Sequence, residues 1–219
     1  MSVVPTDGLD PSAIVERARA SGIQLSMKNA QALAAHARAV MAANERLHLT
    51  AITQPAAFFE RHLGEAFEGA ALLPAKARGI LLDLGSGNGY PGIPLALARP
   101  GLSPVLAEAS AKKAAFLREA LEAAGLPHGR VLDARVARTV DLDELPPINV
   151  LATRAMGGWE RIVPKLVSRL APNGVVLLWA GSEASTVMAR GAWARLRVEQ
   201  RRSLPGRDQS YVYRLGLAL

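Results

Sequence analysis

The chain has 219 residues, half of them apolar, which is enough for one sizeable core. It has no cysteine, which excludes disulfides and thiolate metal sites, and no apolar stretch reaches the roughly 20 residues of a membrane span. With 26 basic and 19 acidic residues the net charge is +7, a balance that favours a polyanionic partner through long-range steering, unless it is simply a solvated basic surface.

Aromatic residues make up only 5%, so a stacking platform for single-stranded bases is poorly supplied. The stretch Met1–Asp10 is polar and contains acids, unlike a secretory leader. A soluble, cytoplasmic protein with no membrane partner is expected, with a monomer as the default.

In chain order, Pro11–Ser21 reads as a short amphipathic helix carrying Ile14 and Ala18 four apart. Met27–Leu47 is a longer helix, with Leu33, Val40, Met41 and Leu47 near helical spacing, and Phe58–Leu73 is a third, with Pro55 near its start. The pattern then changes. Residues 79–84 ("GILLDL") form a continuous apolar run ending at a glycine loop, as a buried parallel strand does. Residues 102–109, 129–135, 148–155 and 174–181 read as further strands, separated by helices over Ser110–Gly125 and Trp159–Leu170, the latter stopped by Pro172. Residues 192–201 and 209–217 flank the turn "SLPGRD" and read as a terminal hairpin closing the sheet edge. Alternating strands and helices imply right-handed crossovers and a parallel sheet. The expected plan is an N-terminal helical cap (1–73) on a doubly wound α/β domain (74–219), the two forming one compact unit.

The stretch "ILLDLGSGNGYPGIP" (80–94) can be read in two registers. Gly87, Gly89 and Gly92 fit a dinucleotide fingerprint, whereas Gly85, Gly87 and Gly89 fit a different nucleoside loop. Asp83 at the strand end points, on this reading, at the ligand crevice, where it would repel a pyrophosphate and attract a sulfonium such as that of S-adenosylmethionine. Pro91 and Pro94 also restrict the helix start. Glu108, ending the next strand, is placed to accept hydrogen bonds from ribose hydroxyls with either cofactor. The plain alternative for Asp83 and Glu108 is a pair of solvated loop acids.

At this point the residues match a family. The run "LLDLGSGNGYPGIPLAL" (81–97) resembles the bacterial small-subunit (16S) ribosomal RNA guanine-N7 methyltransferases, also called glucose-inhibited division protein B, whose hallmark is D-x-G-x-G-x-G-[FLY]-P-G-I-P-L-A. "NERLHLTAI" (44–52), "RHLGEAF" (61–67), "SAKKAAFLREALEAAGL" (110–126), "ATRAMGGWERIVPKLVSRLAPNG" (152–174) and "LPG" (204–206) agree in the same order, so the resemblance covers roughly residues 25 to 215. It implies the class I S-adenosylmethionine-dependent methyltransferase fold, strand order 3-2-1-4-5-7-6, with S-adenosyl-L-homocysteine as product. It also implies cofactor contacts from Gly85 and Tyr90, from Val136 and Ala137 near the adenine, and from Arg154 at the methyl-donor end. The sequence departs from the family at His48 (usually Asn), Glu65 (Asp), Ala137 and Arg138 (an acid pair or part of it) and Ala180 (often Lys).

Guanine N7 offers an in-plane lone pair and loses no proton, so its methylation needs positioning rather than a general base. That suits a chain without an obvious catalytic dyad, thiol or metal cluster. Arg154 is the residue expected at the site, holding either the cofactor carboxylate or guanine O6; the alternative is a salt bridge to Glu160 or another acid. Candidate RNA contacts are Arg61 and His62 on the third helix, Lys112, Lys113 and Arg118 after the ribose acid, Arg135, and Arg201, Arg202 and Arg207 around the hairpin turn. Each of these could equally be a solvated or packed surface residue. Competing readings are a same-fold methyltransferase for another RNA or a small molecule, an NAD-dependent oxidoreductase, and a non-catalytic ribosome-assembly protein that binds RNA.

Overall fold

A computed structural model describes residues 9–218. The reading of Met1 to Gly8 as part of a polar N-terminus, and the outer ends of the two expected ranges, lie outside the described residues. Helices α1 (Pro11–Ala20) and α2 (Met27–Leu47) start where Asp10 and Ser26 side chains accept from Ser12 N and Asn29 N. α2 stops at His48, which adopts the left-handed conformation at φ 48°. That geometry favours Asn, so the departure at His48 sits where a residue tolerant of positive φ is needed.

The third expected helix is built in three parts: α3 (Pro55–Phe58), a π-turn (Phe59–Gly64) and α4 (Glu65–Ala71). Seven strands follow: β1 (Arg78–Leu84), β2 (Gly101–Glu108), β3 (Arg130–Asp133), β4 (Ile148–Arg154), β5 (Leu170–Gly181), β6 (Leu196–Ser203) and β7 (Ser210–Leu217). They form one sheet of order β3-β2-β1-β4-β5-β7-β6, parallel except for β7, which runs antiparallel to both β5 and β6. Helices α5 (Gly92–Ala98), α6 (Ala111–Ala123), α7 (Trp159–Leu166) and α8 (Ala184–Met188) fill the connections.

Three boundaries differ from the sequence reading. β3 is shorter than 129–135. β5 begins at Leu170 rather than 174, because Leu170 already pairs with Ile148 before a register shift lets Pro172 and Asn173 bulge outward. Residues 191–193 form a 3-10 turn where a strand start was expected, burying Trp193. No helix among the described residues is long and apolar enough to cross a membrane.

Side-chain alternation sorts the strands between two cores. Leu81, Val150, Ala152, Val175, Leu177 and Trp179 face a core shared with α1, α2, α4, α5 and α6. Leu82, Leu84, Leu151, Val176 and Leu178 face the opposite core, shared with α7 and Trp193. This parity decides where the site residues point.

Candidate active site

The glycine loop after β1 runs from Gly85 to Gly89, with φ of +69° at Gly85, +55° at Gly87 and +88° at Gly89. These conformations strain any residue with a Cβ. A Cβ on Gly87 would meet only the Gly85 carbonyl oxygen at 3.8 Å, so bare backbone faces open space there. On Gly85, which lines two recesses, it would come 3.1 Å from Met156 Cγ.

One recess, of about 250 Å³, lies beyond the ends of β1, β2 and β4 and is lined by Leu84, Ala109, Val136, Met156 and Ile162 among others. The other, of about 510 Å³, opens over the ends of β1, β4 and β5 and is roofed by residues 49–52, the π-turn and the β6–β7 turn. Val136 and Gly85 both line the smaller recess. Ala137 is absent from these walls; its N–H is held by the Asp141 carboxylate at 2.9 Å. Arg135, a candidate RNA contact, lines the smaller recess.

Asp83 requires a correction. It shares a face with Leu81 and is therefore turned under α5, not into the crevice; it is 1% exposed. Its Oδ2 accepts from Gly92 N at 3.0 Å, its own carbonyl accepts from Ser86 Oγ, and Oδ1 has no partner. Burial raises its pKa from 3.8 to about 6. The loop acid thus occupies the N–H at the start of α5, the very group a pyrophosphate would need. The dinucleotide reading is disfavoured by this internal contact rather than by repulsion across the crevice.

Glu108 likewise anchors the loop: Oε2 accepts from Gly87 N at 3.0 Å and Oε1 from Ser110 N at 2.8 Å. Each oxygen keeps a lone pair for a further donor, so these residues fit a nucleoside whose ribose lies over Gly87.

Tyr90 closes the loop against the N-terminal helices. It is 3% exposed, stacks on His36 with centroids 4.7 Å apart, and lies 4.8 Å from the His62 ring. His36 Nε2 lies 2.9 Å from the Asn88 carbonyl oxygen and so carries the proton; desolvation lowers its pKa to about 4. His36 was not anticipated. On an Ala-rich helix it occupies the apolar stripe with Leu33 and Val40, the only hint the sequence offers.

Arg154 also obeys parity. It shares the face of Val150 and Ala152 and reaches the π-turn, so the expected alternative of a salt bridge is met by another acid, Glu65, and not by Glu160, which belongs to α7 on the other side. Its Nη1 donates to the Arg61 carbonyl and to Glu65 Oε2 at 3.2 Å, and its Nη2 donates to His62 Nδ1 at 2.7 Å. His62 is therefore a neutral acceptor at Nδ1 and donates from Nε2 to Thr50 Oγ1 at 3.1 Å. Burial, then the Arg154 charge, hold its pKa far below the usual range. Thr50 is fixed in turn by Asn44, whose side chain accepts from Thr50 N at 2.8 Å and donates to Thr50 O at 3.0 Å. The chain Asn44, Thr50, His62, Arg154 gives the "NERLHLTAI" segment a physical role.

Glu65, noted in the sequence only as a departure from Asp, is the hub of the cleft. Its buried carboxylate takes Arg61 Nε at 3.0 Å, Arg154 at 3.2 Å and Arg207 Nη1 at 3.4 Å, and its backbone oxygen accepts from Trp179 Nε1 at 3.0 Å. The π-turn, with its extra residue per turn, brings Arg61, His62 and Glu65 to one wall. Other expected RNA contacts lie elsewhere. Arg202 is paired with Glu68 at 2.6 Å, Arg118 with Asp133 at 3.3 Å, and Arg201 lies over the Tyr211 ring at 4.7 Å. Lys112 and Lys113 stand at the start of α6, outside both recesses.

A family profile described as rRNA small subunit methyltransferase G matches residues 29–201. The ribosomal RNA small subunit methyltransferase G of Sorangium cellulosum (strain So ce56) is 34% identical over 84% of this chain and 77% of its own length. That of Stenotrophomonas maltophilia (strain K279a) is 42% identical over 63% of this chain and 62% of its own. Among solved structures, the ribosomal protein L11 methylase from Lactobacillus delbrueckii subsp. bulgaricus superposes with a TM-score of 0.58 at 12% identity, over 73% of this chain and 79% of that one. TrmN from Thermus thermophilus gives 0.56 at 21% identity, over 70% and 49%. At such identities the structural likeness concerns the fold, and with the observed strand order it is that of class I S-adenosylmethionine-dependent methyltransferases. The glycine loop, the matching profile and the relatives agree: the chain belongs to the rRNA small subunit methyltransferase G family.

Proposed function

We propose that this protein transfers a methyl group from S-adenosyl-L-methionine to N7 of a guanine in the 16S ribosomal RNA of the small subunit. One observation supports the choice of acceptor atom: among the described residues, no side chain of the cleft is poised to take a proton. His62 is neutral but has both ring nitrogens in hydrogen bonds. The Tyr90 phenol is held protonated by burial. Glu65 is surrounded by three guanidiniums. An acceptor that had to lose a proton would find no base here, whereas guanine N7 attacks with a lone pair it already has.

In this reading the bound cofactor supplies an electrophilic methyl on a sulfonium. Gly85 and Gly87 leave room for its ribose and Glu108 receives the hydroxyls, with Val136 beside the adenine. Asp83 and His36 hold the loop from behind through Gly92 N and the Asn88 carbonyl. Arg154 has two of its five N–H groups left after the contacts to Arg61, Glu65 and His62, enough for one fork to guanine O6 or to the cofactor carboxylate. Its role is positioning, and so is that of His62 and Thr50 behind it. The N-terminal helices (1–73) and the sheet (74–219) act as one compact unit, since His62 and Glu65 wall the same cleft as Gly85 and Trp179. A cytoplasmic monomer acting on the subunit particle completes the proposal.

The test is transfer of labelled methyl from S-adenosylmethionine to undermethylated small subunits, with label expected in 16S RNA. Label in protein or in a small molecule, or none, refutes the reading. Calorimetry separates the cofactors: S-adenosylhomocysteine is expected to bind and NAD is not.

A further inference from the structure

We infer that Arg61 and Arg207 form a phosphate site at the mouth of the cleft, pinned by Glu65, and that it takes one backbone phosphate of the RNA strand whose base enters. The inference rests on RNA being the acceptor. Glu65 carries one negative charge, yet three guanidiniums surround it, leaving two positive charges at the cleft wall. Among the described residues, no other carboxylate pairs with Arg61, Arg154 or Arg207.

The three arginines differ in exposure. Arg154 lies deep, with its side chain 15% exposed and its contacts largely satisfied, whereas Arg61 and Arg207 are each 38% exposed. Each of these two makes a single hydrogen bond from its guanidinium, to the same Glu65 oxygen, at 3.0 and 3.4 Å. The two planar forks are therefore held side by side, with most of their donors free, by a carboxylate that is itself buried. A tetrahedral oxyanion matches that arrangement: it accepts from both forks at once and neutralises charge that the protein leaves uncompensated. Arg61 comes from the π-turn and Arg207 from the turn between β6 and β7, so the site closes across the cleft mouth. The hairpin cation that faces the cleft is thus Arg207, whereas Arg201 and Arg202 are engaged by Tyr211 and Glu68.

A second oxyanion source exists in the cofactor carboxylate. The half-exposed position of both arginines favours the phosphate, and the experiment separates the two. Arg61→Gln, Arg207→Gln, the double variant and Arg207→Lys are compared with wild type for binding to undermethylated small subunits across a potassium chloride series. S-adenosylhomocysteine affinity and the urea midpoint are measured in parallel. Gln keeps an amide N–H as a donor toward Glu65, and the urea midpoint checks that folding is retained.

Each Gln variant is expected to bind about tenfold more weakly at low salt. The double variant is expected to flatten the log–log salt slope by about 0.7, the loss of one phosphate contact, and Arg207→Lys to keep the slope. Cofactor affinity should stay within about twofold in all variants, because a phosphate site leaves the cofactor's own contacts in place. An unchanged slope in the double variant overturns the inference. So does a tenfold fall in S-adenosylhomocysteine affinity, which assigns the site to the carboxylate, and so does a lower urea midpoint with no salt effect, which leaves the pairs purely structural. Wild-type protein that methylates the RNA while the variants show no salt effect removes only this site; wild type that transfers no label removes the function beneath it.

Discussion

His36→Phe tests the link between the N-terminal helices and the cofactor loop. Phe keeps a flat ring against Tyr90 but cannot donate to the Asn88 carbonyl, which loses the partner now 2.9 Å away. An unpaired buried carbonyl costs about 1–3 kcal/mol, so the variant is expected to be less stable at neutral pH by roughly that amount. The gap must then depend on pH. The folded pKa of His36, about 4, lies below the unfolded value of 6.5. Its contribution is therefore complete above about 6.5 and is lost as the pH falls toward about 4, because the unfolded chain takes up the proton first.

By about pH 5 that loss amounts to about 2 kcal/mol, a term Phe lacks. Asp83 moves the other way, its pKa of about 6 making the ionised fold costlier as pH rises through that value, but it is present in both proteins and cancels from the difference. Urea unfolding followed by circular dichroism at about pH 7.5 and about pH 5 gives both gaps, and the variant's disadvantage should shrink by about 2 kcal/mol at the lower pH. A gap that stays constant to within about 0.5 kcal/mol refutes a buried neutral His36 holding the loop. S-adenosylhomocysteine affinity should fall for the same variant, since the Asn88 turn loses its support.

Glu65→Gln should cost about 3 kcal/mol by urea unfolding, because it leaves the buried Arg154 cation without its carboxylate; a loss under about 1 kcal/mol contradicts the hub assignment. Gly85→Ala combines a φ of +69° with a Cβ 3.1 Å from Met156. Positive φ costs about 1–2 kcal/mol, and the methyl intrudes on the wall that both recesses share, so cofactor affinity should fall at least tenfold by calorimetry. Thr50→Val removes the partner of His62 Nε2 and is expected to lower kcat more than cofactor affinity, since it acts through Arg154; equal losses in both would argue for a merely structural role.

Much of the sheet was legible because β1, β2, β4 and β5 carry short apolar runs closed by turns, and the order of those runs left little freedom in the crossovers. The glycine loop was legible for a related reason: only glycine supplies three positive φ values in five residues. What could not be read was direction. Asp83 and Arg154 end their strands as expected, yet which core each faces depends on where α5 and the π-turn pack, and that put Asp83 behind the loop and Arg154 against Glu65.

Glu65 offered one local signal, Arg61 four residues earlier on a helix, which by itself suggests an ordinary surface pair. Arg207 joins it from 142 residues away, a distance at which no spacing argument operates. His36 looked like a core residue and is one; its partner, the Asn88 carbonyl, is a backbone group that composition cannot reveal. Ala137 failed for a local reason, the hydrogen bonds that Asp141 makes to the backbone N–H groups of Ala137 and Arg138, which turn that segment away from the recess.

The central claim is a cleft that positions guanine N7 without a base. It is tested most directly by methylating undermethylated small subunits with labelled S-adenosylmethionine, digesting the 16S RNA to nucleosides and identifying the labelled one by chromatography and mass. The account expects the label in 7-methylguanosine alone, with kcat flat across the pH range in which an N1, amino or ribose-hydroxyl acceptor would need a titrating base. Label in a base-methylated nucleoside whose acceptor must lose a proton, or in a ribose-methylated one, would contradict it.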